Sequence, residues 1–386
     1  MATLTIVGLG PVGLTTGVAF AAQGHRVLGV EIDADRREQV ARGKPPFYEK
    51  GVERALKTAL RQKHLTVVET IDEALGPSGF VFLAVGTPPR PDGTMEDAFL
   101  REAAKSLASA WQDGKRRIVV VKSTVLPGTT DRVVRPILEG ARLPFRLAMN
   151  PEFLREGHAL EDALRPDRIV VGADDAATAR SVKALYRSAK GPALLTDLKT
   201  AEAVKYATNS FLAVKVAFAD ELANLCQAFG VSYDEVHRGL GLDPRINPRF
   251  LVPGVGFGGS CFPKDVRAIV AGARQRGASA PILEAVLAQN EVQYMRAIEM
   301  LEEELGDLRG RRIALLGLAF KGDTDDIRET RAVPIARTLL SKGALVVGYD
   351  PLAAAAFSKV VPEVKILGSV KEALTGADGT ILQADW

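Results

Sequence analysis

The sequence predicts an α/β protein with two doubly wound, mostly parallel sheets joined by one long helix, and three observations predict it. Short apolar strands alternate with helical stretches over residues 1–198. An unbroken helical periodicity then runs from about Thr200 to Phe229. From about Arg311 the strand–helix alternation starts again. Strands that alternate with helices pair in parallel, because each crossover helix packs over the sheet. The 386 residues exceed one ordinary core and divide by pattern into 1–198, 199–305 and 306–386.

The elements justify this in order. Leu4 to Val7 is apolar, and Gly8-Leu9-Gly10-Pro11-Val12-Gly13 follows at once. A helix then runs to about Gln23 and stops at Gly24. Arg26 to Val30 is the next strand and ends at Glu31. Phe80–Val85, Ile118–Val121, Arg146–Met149 and Ile169–Val171 continue the series. In the long helix, Ala203, Val204, Ala207, Phe211, Val214, Phe218, Leu222 and Leu225 recur at helical spacing, so it reads as an interdomain spine or a dimer surface. More helices follow up to Leu305. Ile313–Leu316 opens the second alternating unit, with a loop over 317–321, a helix from there to Lys342 and a strand Leu345–Tyr349. Three or four strands precede Trp386, so this second sheet reads as incomplete.

Composition excludes several classes. The chain is 47% apolar and 25% charged, which is globular rather than disordered. Basic and acidic residues number 50 and 47, and the runs Lys115-Arg116-Arg117 and Arg311-Arg312 are short and read as solvated; nucleic-acid binding is not expected. Two cysteines are too few for a disulfide scaffold. The start of the chain lacks a basic-then-apolar leader, and no apolar run reaches membrane-spanning length, so a cytoplasmic protein with reduced thiols is expected. His25, His64, His158 and His237 show no metal-ligand spacing, and no metal is expected.

Strand, glycine turn, helix, strand and acid form a dinucleotide-binding, Rossmann-like unit. Gly8 permits the tight turn, Gly10 lets a pyrophosphate approach the backbone, and Gly13 lets helix and strand pack closely. The helix N-terminus offers free N–H groups to phosphate. Glu31, 18 residues beyond Gly13, would bond the adenosine ribose and repel a 2′-phosphate, which favours NAD over NADP; Arg36 and Arg37 nearby pull the other way. Thr87, Ser123, Thr124 and Glu152 follow strands, where a doubly wound sheet binds its ligand, though each alone is equally a turn residue or helix cap.

Cys261 stands in Gly256-Phe257-Gly258-Gly259-Ser260-Cys261-Phe262-Pro263-Lys264-Asp265. The glycines let backbone approach a ligand, and Pro263 suits a first helical turn. A thiol beside a helix N-terminus and Lys264 is expected to be nucleophilic, with Asp265 a base or a water-orienting group. Cys226, inside the apolar helix, reads as an inert core residue. Lys205 and Asn209 lie four apart on one helix face; spacing alone reads them as solvated.

With these residues in hand the chain resembles the UDP-glucose/GDP-mannose dehydrogenase family over nearly its whole length. The resemblance rests on the glycine turn, Lys122-Ser123-Thr124, Asn150-Pro151-Glu152-Phe153-Leu154-Arg155-Glu156 and Glu202-Ala203-Val204-Lys205-Tyr206. The cysteine loop, and Phe320-Lys321 with Asp326-Ile327-Arg328-Glu329, complete the set. It implies an oxidoreductase that takes a sugar-nucleotide primary alcohol to a carboxylate with two NAD. Cys261 would be the nucleophile; Lys205, Asn209 and Asp265 would arrange protons and water. Glu152 would be the base of the hydrolysis and Thr124 would help hold its water. This implication overturns the solvated reading of Lys205 and Asn209.

The resemblance also distributes binding roles. Gly8, Gly10, Val12, Gly13, Glu31 and Arg36 would hold NAD, with Thr87, Thr124, Glu156, Lys264 and Arg328. The sugar nucleotide would meet Glu152, Phe153, Leu154, Arg155, Lys205 and Asn209. It would also meet Phe250, Leu251, Val252, Pro253, Gly254, Gly258 and Lys321. The family pairs through its long helix, so a homodimer is implied, with Arg245 reaching the neighbouring subunit's substrate. Two departures stand out: Pro11 replaces a usual tyrosine, and family members continue past the position of Trp386 with a stretch that completes the nucleotide-binding sheet. Ser260 argues against N-acetylmannosamine nucleotides, whose members carry histidine there. Arg245-Ile246 and Phe250-Leu251 resemble UDP-glucose members more than GDP-mannose members, which stay the alternative. A two-electron hydroxyacid dehydrogenase would not need Cys261, and an inactive nucleotide-binding homologue would not need Cys261, Lys205 and Asp265 together.

Overall fold

The computed structural model describes residues 1–386. Two compact units emerge, Met1–Ala207 and Thr208–Trp386. No helix is long and apolar enough to cross a membrane.

The first unit holds eight strands: β1 (Thr3–Val7), β2 (Arg26–Val30), β3 (Leu65–Val68), β4 (Phe80–Leu83), β5 (Arg117–Val121), β6 (Phe145–Met149), β7 (Ile169–Ala173) and β8 (Ala193–Thr196). Their spatial order is β3-β2-β1-β4-β5-β6-β7-β8. Every neighbouring pair is parallel except β6 and β7, which are antiparallel. Helices cover the sheet, so its central strands are buried on successive residues: Leu4, Thr5, Ile6, Val81, Phe82, Val119, Val120 and Val121 are all fully buried. Strand order reverses between β1 and β4, which opens a crevice at their carboxyl ends.

Two strands escape the sequence pattern. β3 is four residues long, and β8 is an exposed edge strand with Leu194 48% and Leu195 40% accessible, so neither alternates cleanly. Arg117 corrects an expectation: it is buried, not solvated. Its guanidinium grips Asp113 at 2.5 and 2.6 Å, donates to the Leu75 and Ser78 carbonyls and lies 4.9 Å from the Trp111 ring centre. A buried cation with a full set of acceptors is tolerable where a bare one is not.

The long helix is Leu198–Ala228. Helices Tyr233–Gly241, Phe262–Arg274, Pro281–Val292 and Tyr294–Leu305 follow it. β9 (Arg312–Leu316), β10 (Leu345–Tyr349), β11 (Lys365–Ile366) and β12 (Gly379–Leu382) then form a parallel sheet in the order β11-β10-β9-β12. The helix expected from residue 321 to Lys342 is shorter, Ala332–Ser341. Residues 317–331 instead make a long loop, held by Asp350, whose Oδ2 accepts from the Leu318 and Ala319 N–H groups at 2.7 and 3.1 Å. Gly317 has φ +79°, and a Cβ there would lie 2.6 Å from backbone atoms of Ala384, so the chain cannot enter a helix at that point.

Candidate active site

The glycine turn sits at the carboxyl end of β1. Gly8 has φ +93°, and a Cβ on Gly13 would lie 1.9 Å from the Gly8 carbonyl oxygen, so only glycine lets helix Pro11–Ala22 start here. A Cβ on Gly10 would meet nothing within 4 Å, which leaves that face open to a ligand. The helix has no side-chain cap, and Pro11 takes its first turn without loss of a needed N–H. Its N-terminal N–H groups therefore suit a pyrophosphate. Val12 is the next residue of that turn and half-buried. Glu31 accepts from Leu9 N–H at 3.2 Å and from Asp33 N–H at 3.1 Å, and Arg36 lies 3.7 Å from it. The donor and acceptor set fits a dinucleotide.

At the carboxyl ends of β4, β5 and β6 the polar residues converge. Thr87 Oγ1 donates to the Thr124 carbonyl at 2.8 Å, and Ser123 Oγ donates to the Val85 carbonyl at 2.6 Å. Beyond β6, Glu152 pairs with Lys205 at 2.9 Å, with side chains only 7% and 4% exposed. Burial pushes the Glu152 carboxyl up, but Lys205, the Leu154 N–H and the more distant Lys122 outweigh it and hold it below the usual carboxylate range. Glu152 is therefore ionised at neutral pH and able to accept a proton. Phe153 lies beneath two cations, Arg168 at 3.9 Å and Lys205 at 5.4 Å from its ring centre. Leu154 and Glu156 are half-buried beside it, while Arg155 is exposed and turned onto Asp162.

Lys122, in the motif Lys122-Ser123-Thr124, carries no expected role from the sequence. It is buried and donates to Asn150 Oδ1 and the Tyr186 hydroxyl at 3.0 Å each. Together these groups line a cavity with Glu152, Phe153 and Arg168. Asn150 and Tyr186 are long-range partners, and no local spacing announces them.

In the second unit Cys261 is the N-cap of helix Phe262–Arg274, with Pro263 in the first turn. Its Sγ is 3.6 Å from Ser260 Oγ. Asp265, one turn on, is 1% exposed; Asn209 Nδ2 donates to its Oδ2 at 2.6 Å and Lys264 Nζ to its Oδ1 at 2.5 Å. The loop before Cys261 is pressed against a distant segment. A Cβ on Gly258 would lie 2.4 Å from the Glu329 carbonyl oxygen, and one on Gly259 (φ +83°) 2.6 Å from the Phe320 ring. The Gly259 N–H donates to the Arg328 carbonyl at 2.9 Å. The fold thus joins the cysteine loop to Phe320-Lys321 and Arg328-Glu329. Lys321 lies 5.9 Å from the Phe320 ring centre, and the Arg328 guanidinium grips Asp326. Asn290 has no counterpart among the sequence motifs: its Oδ1 accepts from Phe257 N–H at 2.6 Å and its Nδ2 donates to the Phe257 carbonyl at 3.1 Å, which pins the loop's start. A buried amide inside an apolar helix was the available signal.

The segment 245–254 is tied down by side chains. Lys215 donates to the Asn247 carbonyl at 2.8 Å, Tyr233 to the Leu251 carbonyl at 3.0 Å and Gln293 to the Gly254 carbonyl at 2.9 Å. Phe250 has φ +67° and its ring lies 6.4 Å from that of Phe262. Leu251 is buried, Pro253 half-buried and Val252 exposed. Arg245 is 86% exposed and paired with Asp243.

A doubly wound sheet with an uncapped glycine turn and an acid after its second strand defines a dinucleotide-binding protein of the NAD type. The comparisons carry that further. The NAD binding domain of the UDP-glucose/GDP-mannose dehydrogenase family matches residues 2–190, its central domain 199–292 and its UDP binding domain 314–386. The chain belongs to this family. It is 40% identical to UDP-glucose 6-dehydrogenase AglM of Haloferax volcanii, over 99% of this chain and 91% of that protein. The solved UDP-glucose dehydrogenase of Pyrobaculum islandicum is 42% identical with a TM-score of 0.96, covering 100% of this chain and 90% of that one. The GDP-mannose dehydrogenase of Pseudomonas aeruginosa is 31% identical, TM-score 0.62, over 99% and 91%.

Proposed function

We propose that the chain oxidises the C6 primary alcohol of UDP-glucose to the carboxylate of UDP-glucuronate, with two NAD per sugar and Cys261 as nucleophile. One observation carries this reading: Cys261 caps a helix at the end of a glycine loop, with the buried Asp265–Asn209–Lys264 network one turn away. A simple alcohol dehydrogenase has no use for that thiol. The likeness to UDP-glucose enzymes at about 40% identity, against 31% to a GDP-mannose enzyme, supports the choice of sugar.

NAD would supply the hydride acceptor for each of the two oxidations at C6. Asp265 takes the hydroxyl proton as the aldehyde forms, while the Asn209 amide holds that carboxylate and the Lys205 ammonium donates toward the oxygen and its water. Cys261 Sγ then adds to the aldehyde carbon, and the oxygen gains a proton, giving a thiohemiacetal. Loss of a second hydride from C6 yields a thioester. Water, oriented by Thr124, attacks the thioester carbon while Glu152 takes its proton; the C–S bond breaks and the thiol is restored. One alcohol, one water and two NAD give one carboxylate, two NADH and three protons. Gly8, Gly10, Val12 and Gly13 of the glycine turn, with Glu31 and Arg36, would hold NAD, and Thr87, Thr124, Glu156, Lys264 and Arg328 would add further contacts. Phe153 to Arg155, Phe250 to Gly254, Gly258 and Lys321 hold the sugar nucleotide.

In this reading residues 1–198 bind NAD, 199–305 pair subunits and carry the thiol, and 306–386 bind the UDP moiety. The chain works as a cytoplasmic homodimer through the long helix. Support comes from Phe211, Phe218 and Leu225, seven residues apart on one face and 63%, 51% and 46% exposed. Arg245 extends to the neighbour's substrate.

The test is stoichiometry with limiting UDP-glucose and excess NAD, and GDP-mannose in parallel. Two NADH per UDP-glucose are expected. A single NADH would remove the thioester step, and two NADH from GDP-mannose alone would reassign the sugar.

A further inference from the structure

One buried acid has no part in that chemistry. Asp220 lies on the long helix and is 0% exposed. Its Oδ1 accepts from the Gly254 N–H at 2.7 Å, while its Oδ2 is buried with no hydrogen-bond partner. No basic side chain offsets this burial. The groups packed around the contact are neutral: Gln293, from the turn after Pro281–Val292, donates to the Gly254 carbonyl and accepts from Asn224, and Tyr233 donates to the Leu251 carbonyl. Tyr233 is the titratable neighbour, raised first by its own burial and then by the Asp220 charge. His237 holds the same segment through the Pro248 carbonyl at 3.2 Å, on the exposed side.

The geometry points to Asp220 as a positioning residue that grips the sugar-nucleotide loop 250–254 through Gly254 and makes its hold depend on pH. The inference rests on the proposed assignment of that loop to the substrate. Burial pushes the Asp220 carboxyl up to about 7, so its charge changes within the working range. As a neutral acid it offers Gly254 an ordinary hydrogen bond. As a carboxylate it offers a charge-assisted one, roughly twice as strong. The proton resides on Oδ2, which has no other partner, so the grip tightens as pH rises through neutrality and no other bond must break.

The full-length protein is tested by hydrogen exchange and by kinetics between pH 6 and 8.5, in wild type and Asp220→Asn. Protection of the Gly254 amide and of those at Leu251 and Val252, corrected for intrinsic exchange, is expected to rise with pH in wild type and stay flat in the variant. KM for UDP-glucose is expected to fall about fivefold over the same range in wild type only, the factor set by neutral against charge-assisted bonding. KM for NAD serves as the control and should not follow Asp220. Wild-type protection that ignores pH would overturn the inference, whatever the variant's stability. Protection that titrates while KM for UDP-glucose stays flat would show that the loop does not serve the substrate, and the inference would fall with that assignment.

Discussion

Replacement of Lys205 by methionine should reverse how the first unit's stability responds to pH. The Lys205–Glu152 pair is 2.9 Å apart, with side chains 4% and 7% exposed. At that separation the gross attraction is about 6 kcal/mol for an effective dielectric near 20. Much of it is offset by desolvation, and loss of one partner typically costs about 3–5 kcal/mol because the other charge stays buried. In wild type the Glu152 carboxyl sits below its ordinary value, so its contribution to stability is present above the unfolded pKa and fades as pH falls through the folded one. In Lys205→Met the burial that pushes the carboxyl up loses its main opponent. Its folded pKa then exceeds the unfolded one, and stability falls as pH rises past about 4.3. Trp111 and Trp386 are the only tryptophans, so Trp386→Phe leaves Trp111, in the first unit, as sole reporter. Urea unfolding followed by its fluorescence at pH 4.5, 6 and 7.5 gives the slope directly. Lys205→Met/Glu152→Gln should recover part of the loss. A single variant within about 1 kcal/mol of wild type, with an unchanged pH slope, would show the pair to be solvated and refute the reasoning.

Three other outcomes are expected. Gly13→Ala places a Cβ 1.9 Å from the Gly8 carbonyl oxygen and should destabilise the first unit by about 3 kcal/mol and abolish NAD binding; calorimetric titration with wild-type affinity would contradict it. Cys261→Ala should release no acid while NAD affinity stays within about twofold, and acid formation at the wild-type rate would end the nucleophile assignment. Phe218→Glu puts a charge in the exposed stripe of the long helix and should give a monomer by sedimentation at micromolar concentration, against a wild-type dimer; a monomeric wild type would count against the pairing surface.

What the sequence disclosed was local chemistry. The glycine turn, Glu31, the cysteine loop and the motif 150–156 are each contiguous, and their residue types carry their geometry with them. Strands β3 and β8 were illegible because one is brief and the other lies at an exposed edge, where burial imposes no alternation. Arg117 read as a surface charge because its satisfaction comes from carbonyls at Leu75 and Ser78, far off in sequence. Lys205 and Asn209 read as solvated for the same reason: their buried partners, Glu152 and Asp265, lie 53 and 56 residues away. The stretch 317–331 has a helical pattern from residue 321 on, but Asp350 ties its start into a loop and Ala384 packs against Gly317. Residues such as Asn290 and Asp220, whose polar atoms meet only backbone amides and carbonyls, leave no trace in spacing at all.

The contact of Gly258 and Gly259 with Phe320 and Glu329 reaches into how this protein can change over generations. The loop that presents Cys261 is shaped as a cast is shaped by its mould: the Phe320 ring and the Glu329 carbonyl are the mould, and they fill the space the missing side chains would take. Neither half can be altered alone. A side chain at 259 collides with the ring, and a smaller residue at 320 leaves a void against the glycines of the loop. A library that varies the cysteine loop without position 320 will therefore be populated by inactive variants. A smaller residue at 320 does not free the loop either, because Gly259 keeps φ +83° and Gly258 still meets the Glu329 carbonyl oxygen, so two segments some sixty residues apart are inherited as one functional piece.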